Sequence, residues 1–292
     1  MDWLFLSEVS LAGIGAGGLY ALTGLAFVLI YKATRVVNLA IGEILMLCAY
    51  IFFGFSAGLA LPFWLAALGT LVVSGLVGAG VERTMIRPML GESPISVFML
   101  TIGLGSILVG VVELIWGANP LRLPEFMPSQ PLFLGEAYVS AKVATAFAVA
   151  AVVVVAFLVL FRYWRGGVAL RATASDQAAA YSMGIDVPRV FSLSWVIACM
   201  TAGAAGMLVG AIGGISPTMG IFGLSVLVVV IVGGLDSVLG ALVAGLFIGL
   251  LEALTGAYLG GEFKTLTTFS LLVVVLMIRP YGLFGTHEIE RL

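Results

Sequence analysis

"RATASDQAAAYSMGIDVP", residues 171–188, is a polar, punctuated stretch in a chain that is otherwise close to unbroken hydrocarbon. Arg171, Asp176 and Asp186 stand among alanines here, whereas the segments on either side are long apolar runs. Thr173 followed by Asp176 fits the pattern in which a hydroxyl and a carboxylate satisfy the free N–H groups of a helix start. Ala178, Ala179 and Ala180 are strong helix formers, Gly184 suits the left-handed turn that closes a helix, and Pro188 blocks continuation. The pattern predicts a helix over about 173–184. A helix so short is marginal in water, because nucleation costs more than a few turns recover. It must therefore lie against a surface. The membrane with the protein's own face is one candidate, suited to the cationic, aromatic shoulder "FRYWRGG" (161–167); a groove in another protein is the other, suited to the small alanine face.

The surroundings set the class. Of 292 residues, 62% are hydrophobic and 10% charged, against roughly 45–50% and about 25% in soluble domains. The expectation is an all-α polytopic membrane protein, with 1–292 forming a single transmembrane domain. Apolar runs fall at 8–31, 36–57, 60–81, 95–116, 141–162, 189–212, 221–235, 237–257 and 263–280. The run at 221–235 is short for a hydrocarbon core of ~30 Å and ends in a glycine pair, so it reads as a broken or half-crossing helix. Eight or nine crossings are expected. "MDWLFLSEVS" has acids where a secretory signal needs a basic start, so the first run is expected to stay as a span.

Basic residues give the orientation, because Lys and Arg are retained on the cytoplasmic side. With alternating spans, Lys32, Arg35, Arg83, Arg87, Arg162, Arg165, Arg171, Arg189, Arg279 and Arg291 share one side, and only Arg122, Lys142 and Lys264 take the other. The N-terminus is then outside, the C-terminus and 171–188 inside, and the Pro-rich loop 117–140 is an outer docking surface. The membrane is expected to be a bacterial-type inner membrane, with lipid as a partner.

Several chemistries drop out. A net charge of −2 gives no footprint for nucleic acid. Cys48 and Cys199 lie in apolar segments, and the lone histidine, His287, sits in the C-terminal tail, so neither a metal cluster nor a Ser/His/Asp triad is expected. No GxxxxGK[ST] loop is present to cradle phosphates. The chain carries no cofactor of its own on this reading, and no catalytic residue.

Glycine is the second signal. Its 38 copies cluster in "GIGAGGLYALTG" (13–24), "GLGSILVG" (103–110), "AGAAGMLVGAIGG" (202–214) and "GGLDSVLGALVAG" (233–245), at spacings that let helices pack closely. Broken helices also expose backbone polar groups to a solute inside the membrane, and Gly-rich breaks occur at "NLAIGE" (38–43) and "GGLDSVLG" (233–240). An ion-coupled secondary carrier would need paired ionisable residues in its spans. Glu43, Glu113 and Glu252 are the candidates, without an evident basic partner at like depth.

Arg171-Ala172, Asp176, Ala180 and Gly184-Ile185 resemble the cytoplasmic coupling loop of ABC-type import permeases, specifically those of the branched-chain amino-acid class. "VNLAIGE" (37–43), "ERTMIRP" (82–88), "AGAAGMLVG" (202–210), "ISPTMG" (215–220), "GGLDSVLGALVAG" (233–245), Glu252 and "RPYGLFG" (279–285) fall in that family's order and extend the resemblance over nearly the whole chain. The resemblance implies an ABC importer permease fold and a transport subunit that is not itself an enzyme. It implies ATP and Mg used by two separate ATP-binding cassette subunits coupled through Arg171, Asp176, Ala180, Gly184 and Ile185. A periplasmic or extracellular substrate-binding protein and a second, related permease subunit complete the assembly. The cargo implied is a branched-chain or related amino acid; another small carboxylate, amide or urea-type solute is the alternative. Two positions depart from the family pattern: Ile41 stands where a His is usual, and Asp236 where a Gly is usual. Glycine breaks and family position together place the translocation pathway at Asn38, Gly42 and Glu43, with Gly233, Gly234 and Ser237 as its second half.

Overall fold

The computed structural model describes residues 3–285, and His287 and Arg291 lie outside the described residues. The architecture is all-α apart from one hairpin. In chain order the helices are α1 (Trp3–Thr34), α2 (Ile41–Phe53), α3 (Phe63–Val81), α4 (Pro94–Trp116), α5 (Ala141–Tyr163), α6 (Arg165–Ser175), α7 (Gln177–Ser182), α8 (Val187–Gly213), α9 (Phe222–Gly233), α10 (Val238–Tyr258) and α11 (Phe263–Ile278). Single π turns extend α2 over Gly54–Gly58 and α3 over Glu82–Ile86, and a 3-10 turn, Pro217–Ile221, leads into α9. Strands β1 (Pro131–Leu134) and β2 (Ala137–Ser140) pair antiparallel within the 117–140 loop.

Among the described residues, seven helical segments are long and apolar enough to cross a membrane, while 217–233 and 263–278 are shorter apolar helices. Together these match the nine runs expected. The short run is a short helix: α9 is continuous over 12 residues, about 18 Å of rise, and a 3-10 turn leads into it.

α1 is the central post. Its Gly13 and Gly17 face Gly249, Leu250 and Leu246 of α10, which runs antiparallel beside it. Small residues on both sides bring the two backbones together, and dispersion and buried backbone contact replace the hydrophobic drive that lipid removes. α8 closes a second seam, where Ser74 Oγ of α3 donates to Cys48 Sγ of α2 at 3.0 Å and Gly203 packs on Ser74. Cys48 and Cys199 are free and buried.

The described basic residues separate by end of the bundle. Lys32 lies within electrostatic range of Asp236, Arg35 and Arg171, Arg87 bonds to the start of α8, and Arg279 follows α11. At the opposite end Arg122, Glu125 and Lys142 line one cavity with 210–214, and Lys142 pairs with Glu125 at 3.6 Å.

Candidate functional site

Two helices begin inside the bundle. After α1, Arg35 takes a positive φ of 57°, and the chain runs through 36–40 without helix before α2 starts at Ile41. Thr101 of α4 holds this segment, accepting from Leu39 N at 3.3 Å. α9 begins near the same level from the other direction, after Gly214 and the 215–221 turn. The two N-terminal ends meet at Gly42: a Cβ there would fall 2.7 Å from both N and Cα of Gly223 and also strike the Gly220 carbonyl. Only glycine permits this crossing.

Asn38 and Glu43 flank it. Asn38 is 1% exposed, and its Oδ1 accepts from Ala40 N at 3.0 Å while Nδ2 has no partner among the described residues. The Glu43 side chain lies between Gly105 of α4 and Gly220, and its buried Oε2 likewise has no partner among the described residues. Free N–H groups of a helix start and an unspent amide donor sit with an unspent carboxylate oxygen at one level of the bundle. Ile41, at the position where the family usually has His, is 1% exposed and packs in the core.

The other three expected pathway residues are not brought to this place. Gly233, Gly234 and Ser237 form the turn between α9 and α10, at the far end of α9 from Gly220. Ser237 Oγ caps α10 by accepting from Gly240 N at 3.0 Å, and Gly234 has φ 109°. The 282–285 segment clasps the turn, with Leu283 N and Phe284 N donating to the carbonyls of Val232 and Gly233 at 2.8 and 3.0 Å. The second interior break lies in "ISPTMG" (215–220), and its signal was Pro217 and Gly220.

The polar stretch also differs from expectation. α6 runs through Ser175, so Thr173 is buried inside it with its hydroxyl unpartnered among the described residues, and it caps nothing. Asp176 is the cap, accepting from Ala179 N at 2.9 Å, and it starts the six-residue α7. One helix over 173–184 is thus two, because the extended backbone of Asp176 (φ −157°) interrupts it. Ala180 is 4% exposed and faces this chain's own core, while Tyr181 (71%) and Met183 (83%) point outward. Gly184 (φ 83°) closes α7, and Ile185 N donates to Ala180 O at 3.1 Å. Arg171 turns back on α5, donating to the carbonyls of Phe161 and Arg162 and lying over the Phe161 ring. Of these five residues only Ala180 is buried, Arg171 and Ile185 are half-buried, and Asp176 and Gly184 are exposed beside Tyr181 and Met183.

The family model described as "Branched-chain amino acid transport system / permease component" matches residues 10–279. The chain belongs to this permease family. It is 31% identical to the high-affinity branched-chain amino acid transport system permease protein LivH of Salmonella typhimurium, over 99% of each chain. It is 29% identical to the corresponding BraD protein of Pseudomonas aeruginosa, over 96% of this chain and 95% of that one. A probable LivH of Methanocaldococcus jannaschii matches at 28% over 91% and 89%. In fold alone, a chain of PsaBC from Streptococcus pneumoniae in complex with Fab superposes with a TM-score of 0.51 at 13% identity, covering 96% of this chain and 94% of that chain.

This branched-chain amino acid transport system permease is thus a multi-pass membrane protein of a transport system. Glu252 is fully occupied in it: Tyr20 Oη and Thr268 Oγ1 donate to its two oxygens at 2.6 and 2.7 Å. That occupancy needed three helices to meet, and no spacing along the chain announced it. Glu43, by contrast, keeps a buried oxygen with no partner among the described residues.

Proposed function

We propose that this permease conducts branched-chain or related amino acids past the meeting point of α2 and α9, with Asn38, Gly42 and Glu43 at the pathway. The observation that carries the reading is the pair of helix starts inside the bundle, joined at Gly42 and flanked by two unspent polar groups. A carboxylate inside a membrane is costly unless it faces protein, water or cargo, and backbone freed from a helix is tolerated where it lines a path. The names of the relatives favour branched-chain amino acids over other small carboxylates, amides or urea-type solutes.

The basic end of the bundle is the cytoplasmic one, by the retention of Lys and Arg. Two ATP-binding cassette subunits, using ATP and Mg, dock there on the exposed face of α7, at Tyr181 and Met183. A substrate-binding protein meets the opposite end at the 117–140 loop, and a second, related permease completes the path. The test is reconstitution of these components in proteoliposomes, following ATP-dependent uptake of leucine, isoleucine and valine against acetate, acetamide and urea. Leucine uptake that needs ATP and the binding protein is the expected result; uptake driven by a proton or sodium gradient alone overturns it. For docking, Tyr181→Ala with Met183→Ala should release the ATPase subunits on purification, and full retention with unchanged uptake overturns that role.

A further inference from the structure

"ERTMIRP" (82–88) has so far no role, yet it contains a closely bonded polar cluster. α3 ends regularly at Val81 and continues through the single π turn Glu82–Ile86, a form that often marks functional positions. The Glu82 side chain is 1% exposed and that of Arg87 37%. Arg87 Nε and Nη2 donate to the two Glu82 oxygens at 3.0 and 3.1 Å. The same Nη2 reaches Ser192 Oγ at 2.8 Å and the Pro188 carbonyl at 3.2 Å, and Ser192 Oγ donates to Glu82 Oε2 at 2.6 Å.

Pro188 and Ser192 belong to the first two turns of α8, and only residues 183–186, held by a closing turn and a cap, separate α8 from α7. Met183 N and Gly184 N donate to the carbonyls of Ala179 and Tyr181 at 3.1 and 3.0 Å, and Ile185 N to Ala180 O at 3.1 Å. Asp186 caps α8 by accepting from Arg189 N at 3.2 Å and pairs with Arg189 Nε at 2.8 Å. A displacement of α7 therefore moves the start of α8, and through Arg87 it pulls on α3.

Stability alone is a weak reason for such a cluster, since a buried ion pair is often replaced by apolar residues at no loss. A bidentate Arg–carboxylate pair with a third partner does fix one geometry, which a lysine cannot reproduce. We propose that Glu82, Arg87 and Ser192 are the joint that transmits movement of α7 into the transmembrane bundle, with Arg87 as a positioning residue for coupling ATP hydrolysis to transport. This rests on the reading of α7 as the ATPase docking helix.

The test uses the complete transporter in proteoliposomes, with leucine as the probe, and three permease variants: Arg87→Lys, Ser192→Ala and the double Glu82→Leu, Arg87→Leu, which leaves no unpaired buried charge. Retained ATPase subunits, thermal stability and ATP hydrolysis are measured beside uptake. The expected result is ATPase binding and hydrolysis near wild type, with leucine carried per ATP lower by about tenfold in Arg87→Lys and the double variant and by less in Ser192→Ala. An unchanged ratio in all three overturns the joint. So does a parallel fall of uptake, hydrolysis and melting temperature, which marks a merely structural pair. Failure of the wild-type chain to retain ATPase subunits overturns the docking reading beneath it, and is seen before any variant is compared.

Discussion

Tyr20 Oη donates to Glu252 Oε2 at 2.6 Å across 232 residues of sequence, and Thr268 completes the carboxylate from a third helix. The contact ties α1, α10 and α11 together. Glu43, by contrast, has an oxygen with no partner among the described residues. Two carboxylates of similar sequence setting thus divide into one that holds helices and one with capacity to spare.

Tyr20→Phe removes one of the two donors to Glu252 and should cost about 1–3 kcal/mol, the range for leaving a buried polar group short of a partner. Thermal unfolding in detergent should show a lower midpoint, while uptake per folded complex holds. A transport loss with no change in stability would contradict the structural role of Glu252.

Glu43→Gln keeps size and hydrogen-bonding capacity while deleting the charge. Assembly and basal ATPase activity should persist while leucine uptake falls or the preference among solutes shifts. Wild-type uptake across the branched-chain amino acids and small carboxylates would remove Glu43 from the pathway.

Gly42→Ala places a methyl against the Gly220 carbonyl and 2.7 Å from the Gly223 backbone. Backbone cannot yield as a side chain can, so a loss of about 1–3 kcal/mol and of transport is expected. Gly103→Ala is the control, since a Cβ there meets nothing within 4 Å. Equal behaviour of the two in unfolding and uptake assays would refute the close crossing of α2 and α9.

Asp176→Ala deletes the cap of α7 and should cost about 1 kcal/mol locally, whereas Asp176→Asn retains a capping oxygen. Because α7 has only six residues, that loss should loosen ATPase retention measurably in the Ala variant. Co-purification yields that fall equally with Asn would point to the charge and not the cap.

The sequence by itself determined the membrane class, the positions of the apolar segments, the shortness of the segment around 221–235 and the family. Each rests on composition or on order along the chain, which a linear reading carries in full. The closing turn of α7 at Gly184 is also legible along the chain, but its start is not: Thr173 was expected to open the helix with Asp176 three residues on, and in the fold Asp176 itself is the cap. The sequence did not divide 165–184 into two helices, because alanine-rich sequence favours helix throughout, whereas in the fold Asp176 takes extended backbone (φ −157°) and restarts the helix as its cap. Ala180 was expected to face a partner, and tertiary packing turned it inward, with Tyr181 and Met183 outward. Gly233 and Gly234 carry the same small-residue signal as Gly42, yet one group closes an end turn and the other lets two helix starts meet. That difference depends on what approaches each glycine from distant parts of the chain. The same holds for Glu82 and Arg87, five residues apart, whose meaning comes from Ser192 more than a hundred residues on.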